Sequence, residues 1–142
     1  MLLIVPARKS GDLDSGAIQL LNLASIAIDA GHLDTAKTHT LEALEIVEAW
    51  SSKYVGTFAV LTAGIIATAA GDAATAARFV GAALASNARM GVKIDPVDQN
   101  FIDPYIRRTK EALGADYVRL EAGGATLSFE AAMAEARVWL KA

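Results

Sequence analysis

Displaced by 40 residues, the chain falls on itself: Ile26 on Ile66, Ala27 on Ala67, Ala30-Gly31 on Ala70-Gly71, Thr35-Ala36 on Thr75-Ala76 and Ala43-Leu44 on Ala83-Leu84. An internal repeat constrains a fold tightly, because each unit must bury its apolar face against the next. The unit reads as a helix, a tight turn at glycine and a second helix. Gly31 and Gly71 stand where a helix ends in the left-handed conformation, which costs glycine no side-chain clash. Asp72 is placed to cap the second helix of unit two, whereas His32 holds that place in unit one and is a poorer cap. From Tyr54 to Gly71 there are 18 residues without a charge, the lower limit for a membrane span. Gly56, Thr57, Thr62, Gly64 and Thr68 interrupt that run, and Ala70-Gly71-Asp72 closes it as a helix stop followed by a helix start. It reads as a central helix buried on all sides, and no membrane association is expected.

Alanine supplies 30 of the 142 residues, and strand-forming residues are modest in number, so helix is favoured over sandwich or barrel. Cysteine is absent, which excludes a disulfide framework, a thiolate zinc site and a cysteine nucleophile. A net charge of −3 provides no field to hold nucleic acid directly. The apolar start, Met1 to Val5, is too short for a signal-peptide core, and Arg8 and Lys9 follow it instead of preceding it, so a cytoplasmic location is the default. Helices are expected near Asp14–Ala30, Leu33–Trp50, Val55–Ala70 and Asp72–Arg89. Asp95-Pro96 then opens a helix that continues to about Leu113. Pro104 either kinks that helix or marks its true start at Asp103-Pro104. A short helix over Asp116–Ala122 is expected to break at Gly123-Gly124, and Ser128 to cap a last helix over Phe129–Lys141. The expected architecture is therefore all-α, about seven helices in one domain: repeat one over 13–50, repeat two over 55–91 and C-terminal capping helices over 95–142.

Ala24, Gly31, Ala36 and Ala43, matched by Gly64, Gly71, Ala76 and Ala83, give the pattern its closest likeness. It resembles a tetratricopeptide-type repeat, in which small residues at these places let two helices approach closely. The period of 40 is longer than the standard unit, and the aromatic places hold Leu20, Ala27 and Thr40, then Val60, Ala67 and Val80. In such repeats the first helix of each unit lines a concave groove. Carried over by position, that groove holds Ile18, Leu21, Ser25 and Ile28, then Phe58, Leu61, Ile65 and Thr68. It is either an open apolar surface for a protein or peptide partner or for self-association, or it is filled by the chain's own C-terminal helices.

The C-terminal half carries a second likeness. Leu113-Gly114-x-x-Tyr117, then Gly124-x-x-Leu127-Ser128-Phe129-Glu130-x-Ala132-x-Ala134-x-Ala136, resembles the tail of the helical repeat region in large bacterial signalling ATPases and transcriptional regulators, both LuxR-type and adenylate-cyclase-linked. Val80-Gly81-Ala82-Ala83, Met90-Gly91 and Asp95-Pro96 fit the same pattern upstream, so the resemblance runs from about Ala63 to Ala142. The family's second glutamate after the serine is Ala131 here, so the reciprocal capping box is lost. The resemblance implies a sensory and protein-contact arm of a signalling or transcription-regulatory system. The rival reading is a small-molecule effector domain with a pocket between the repeats and the C-terminal helices.

Catalytic chemistry finds little support. There is no phosphate-binding loop of the Gly-x-x-x-x-Gly-Lys type, and no Ser-His-Asp order or nucleophile elbow. His32 and His39, with Asp29 and Asp34 nearby, match no established ligand spacing and read as a polar surface turn. Glu42, Glu45 and Glu48 form an acidic stripe that reads as a solvated helix face. Arg107 and Arg108 read the same way, flanked by Asp103 and Glu111. No enzyme activity, cofactor or metal is expected.

Overall fold

The structure is a computed structural model that describes residues 11–50 and 52–142. The segment Met1 to Val5, read above for a signal peptide, lies outside them. Among the described residues there are seven helices and no strand: α1 (Gly11–Asp29), α2 (Leu33–Trp50), α3 (Lys53–Ala69), α4 (Ala73–Met90), α5 (Pro96–Leu113), α6 (Asp116–Ala125) and α7 (Phe129–Lys141).

The 40-residue repeat persists to single hydrogen bonds. At the first turn Ala30 N donates to Ile26 O (3.1 Å), Gly31 N to Ile28 O (3.0 Å) and His32 N to Ala27 O (2.8 Å). At the second, Ala70 N donates to Ile66 O (2.9 Å), Gly71 N to Thr68 O (3.1 Å) and Asp72 N to Ala67 O (2.8 Å). This is the Schellman pairing, which satisfies the last free carbonyls of a helix. It needs a positive φ, and Gly31 and Gly71 supply it at 78° and 86°. Asp72 accepts from Thr75 N at 3.2 Å, so α4 has the side-chain cap that His32 cannot give α2.

Helix α3 is the centre of the molecule. Every residue from Val55 to Thr68 is buried, because α1, α2, α4, α5 and α7 all pack against it. That enclosure accounts for the missing charges, since a buried charge without a partner is costly. The polar groups it does carry are satisfied. Thr57 and Ser86 share a hydrogen bond of 2.9 Å, and Thr62 donates to Phe58 O at 2.8 Å.

The second half refines the expected map. Helix α5 is one continuous helix through Pro104, capped by Asp95, which accepts from Val97 N at 2.9 Å. It packs on α3 and α4, as α3 packs on α1 and α2. The break expected at Gly123-Gly124 does not occur; α6 runs on to Ala125. Gly124 is there for contact instead of turning. A Cβ on it would lie 1.8 Å from Arg78 O, and one on Gly81 would lie 2.0 Å from Glu121 O. Helices α4 and α6 therefore meet backbone to backbone. The chain turns just after, where Leu127 N donates to Gly124 O (3.0 Å), and Ser128 caps α7 by accepting from Ala131 N (3.1 Å). Helix α7 then lies across α2, α3 and α4. Ala132, Met133, Ala136 and Leu140 are its buried residues.

Candidate interaction site

The groove carried over from the repeat pattern is closed. Ile18, Leu21, Ser25, Ile28, Phe58, Leu61, Ile65 and Thr68 are all at most 9% exposed. Two things shut it. The first helices pack on each other, and α5 lies over α3. Ile102 of α5 is inside the core, with Phe101, Tyr105 and Ile106 packed against it. The polar groups follow the same closure. Ser25 donates to Leu21 O at 3.0 Å. Thr109 spends its proton on Tyr105 O (2.8 Å), so in the 2.6 Å contact between hydroxyls Thr68 donates to Thr109. Tyr105 reaches back to the end of α1, where its hydroxyl donates to Asp29 Oδ1 at 3.4 Å. The remaining expected positions are structural. Ala36 and Ala76 are fully buried at the helix contacts, Gly31 and Gly71 make the turns, and Gly124 and Ser128 set α6 and α7.

Two open, mostly apolar features lie on either side of α7. This helix is held by long-range polar links. Arg78 grips Glu135 through two hydrogen bonds of 2.7 and 3.0 Å. Arg137 pairs with Glu48 on α2. Trp139 Nε1 donates to Asp72 Oδ2 at 2.9 Å, and Lys37 sits 4.6 Å above the centre of the same indole ring. Asp72 thus caps α4 and anchors α7 at once. Burial pushes its carboxyl up, but the hydrogen bonds from Thr75 and Trp139 outweigh that and hold it below the usual carboxylate range.

Between α4 and α7 runs an open, mostly apolar cleft of about 460 Å³, with Phe79, Val138 and Trp139 on its walls and the Arg78–Glu135 pair among its lining residues. Val138 is 71% exposed there. On the other side, between α2, the start of α3 and α7, Val47, Phe129 and Met133 line a cavity of about 210 Å³ together with the Glu48–Arg137 pair. That volume is below the range usual for small-molecule sites.

Sequence reasoning missed the links that hold α7. Glu48 and Arg137, Asp72 and Trp139, and Arg78 and Glu135 are too far apart in sequence for any local pattern to pair them. The one signal was the lone tryptophan near the end of an otherwise alanine-rich amphipathic helix. Among the described residues no three His, Asp or Glu side chains gather as a metal site. None of the described helices is long and apolar enough to cross a membrane. Glu42 and Glu45 are exposed, while Glu48 is taken by Arg137. Arg108 lies 5.5 Å from the centre of the Tyr105 ring.

Compared with protein-family models, with curated proteins and with solved structures, the chain matches none.

Proposed function

We propose that this chain is a non-catalytic protein-interaction or sensory module, built on tetratricopeptide-like hairpins and working in a bacterial signalling or transcription-regulatory system in the cytoplasm. One observation carries the reading: the two hairpins repeat down to equivalent turn hydrogen bonds. Stacked hairpins build extended surfaces for partners. With the concave face filled, the surface offered to a partner is the apolar cleft of Phe79, Val138 and Trp139.

The test is retention of proteins from the source lysate by the immobilised chain and by Val138→Asp. The proposal expects one polypeptide held by the wild type, with retention falling roughly tenfold or more in the variant, as for an interface anchor. Equal retention by both overturns the choice of cleft. The place of the smaller cavity suggests a second reading, an effector domain for a ligand smaller than the usual small-molecule site holds. The cavity of Val47, Phe129 and Met133 lies between the repeats and the C-terminal helix, where such a pocket is expected. If the chain retains no polypeptide but a small molecule raises its Tm, and Met133→Trp removes that rise, the effector reading replaces the first.

A further inference from the structure

We infer that the cavity between the start of α3, the end of α4 and the start of α7 binds a small organic anion, a carboxylate or phosphate group carried on an apolar body. The inference goes beyond the interaction reading and does not rest on it. The cavity measures about 520 Å³, within the range usual for small-molecule sites. Lys53, the first residue of α3, and Arg89, in the last turn of α4, both line it. They meet there because α3 and α4 fold back on each other as a hairpin, so the first turn of one lies beside the last turn of the other. Phe129 brings the start of α7 to the same end. A Cβ on Gly56, in the first turn of α3, would lie 2.5 Å from Phe129 Cζ.

Charge points to the ligand. Arg78, Arg119 and Arg137 pair with carboxylates, and Lys37, Arg108 and Lys110 lie over aromatic rings. Among the described residues, Lys53 and Arg89 have neither kind of partner. Arg89 suits the carbonyl end of α4, where a cation is favoured. Lys53 gains nothing of the kind. It stands at the N-terminal end of α3, where the helix dipole opposes a cation, and no acid in the first turn offsets it. Glu130 is the single acid among the lining residues, against two cations. The cavity therefore holds a local positive excess in a chain whose net charge is −3, and an anion between Lys53 and Arg89 is attracted by both. Ser128 offers a further donor, since its oxygen accepts from Ala131 N and its proton remains for another partner.

The apolar part of the ligand follows from the rest of the lining. Met90, Leu127 and Phe129 form walls that a bare inorganic anion leaves unused. Phe129 and Lys53 also line the smaller cavity of Val47 and Met133. A short apolar body attached to the anionic group has a continuous path over the Phe129 ring toward that cavity.

The experiment follows thermal unfolding and calorimetric binding of the full chain with hexanoate, hexyl phosphate, inorganic phosphate and hexanol at equal concentrations. The inference expects hexanoate or hexyl phosphate to raise Tm by roughly 3 °C or more near saturation, the stronger of the two naming the anionic group. Inorganic phosphate and hexanol should raise it less. Lys53→Gln and Arg89→Gln are each expected to weaken binding roughly tenfold, while Arg107→Gln, on the exposed side of α5, leaves it unchanged. Without added ligand, Lys53→Gln should keep or raise the wild-type Tm, because it removes a cation from the disfavoured end of a helix. A marked fall in that Tm overturns the inference, since Lys53 would then serve the fold. No rise with any probe overturns it, and so does inorganic phosphate or hexanol acting as strongly as the hexyl anions. If binding survives both glutamine variants but is lost in Met133→Trp, the ligand occupies the smaller cavity; this inference then fails and the effector reading stands.

Discussion

Gly81 and Gly124 show how much a single missing side chain decides. Each lies against a backbone carbonyl of the other's helix, at distances no Cβ tolerates. Both carbonyls belong to helical backbone, so relief requires moving α4 or α6 as a body. Gly124→Ala is expected to cost roughly 1–3 kcal/mol through overpacking, read as a lower midpoint in urea. Gly16→Ala, inside α1 with nothing within 4 Å of the added carbon, should instead gain roughly 0.5–1 kcal/mol from helix propensity. Opposite signs for one chemical change separate contact from conformation. In the sequence Gly123-Gly124 reads as a helix break, because glycine weakens helices locally. That Arg78 stands against it is a fact about another helix.

At the scale of elements, the turns were legible and the covering helices were not. Gly31 and Gly71 announce their role by repetition, and the structure gives both a positive φ. Gly71→Val should destabilise the second hairpin by roughly 1–2 kcal/mol or more, since a β-branched residue is strained in the left-handed region. Unchanged thermal unfolding of that variant would show that the turn does not need glycine. The uncharged run over α3 was legible as a buried helix because enclosure leaves a mark on every position. Helix α5 left a weaker mark. Its outer side is charged and Pro104 suggests a boundary, so its sequence reads as a cap. Only its packing reveals that it occupies the place of a third first helix. Helix α7 shows the same limit, because the partners of Glu135, Arg137 and Trp139 lie on α4, on α2 and at the start of α4.

At the scale of the whole molecule, stability should fall on the alkaline side. Tyr117 is buried and its hydroxyl donates to Glu121 Oε2 at 2.6 Å. Burial first, and then the Glu121 carboxylate, push its phenol well above the ordinary value of 10.0. Tyr54 and Tyr105 are raised as well, chiefly by burial. A phenol raised in the folded state ionises more easily when unfolded. Its contribution is therefore complete below the unfolded value and is lost as pH rises above it. The urea midpoint should drop as pH rises above about 10, and Tyr117→Phe should drop less over that interval. An equal fall in the variant would assign the alkaline loss to other groups. The class of fold, the helix count, the repeat and its two glycine turns were all determined by the sequence alone, because propensity, capping and burial periodicity act within a few residues. Tertiary structure alone decided that the expected groove is core, that α7 is clamped across both hairpins, and that Lys53 and Arg89 line one cavity. Each of these depends on which helix lies beside which, and that is set by packing between residues far apart in the chain.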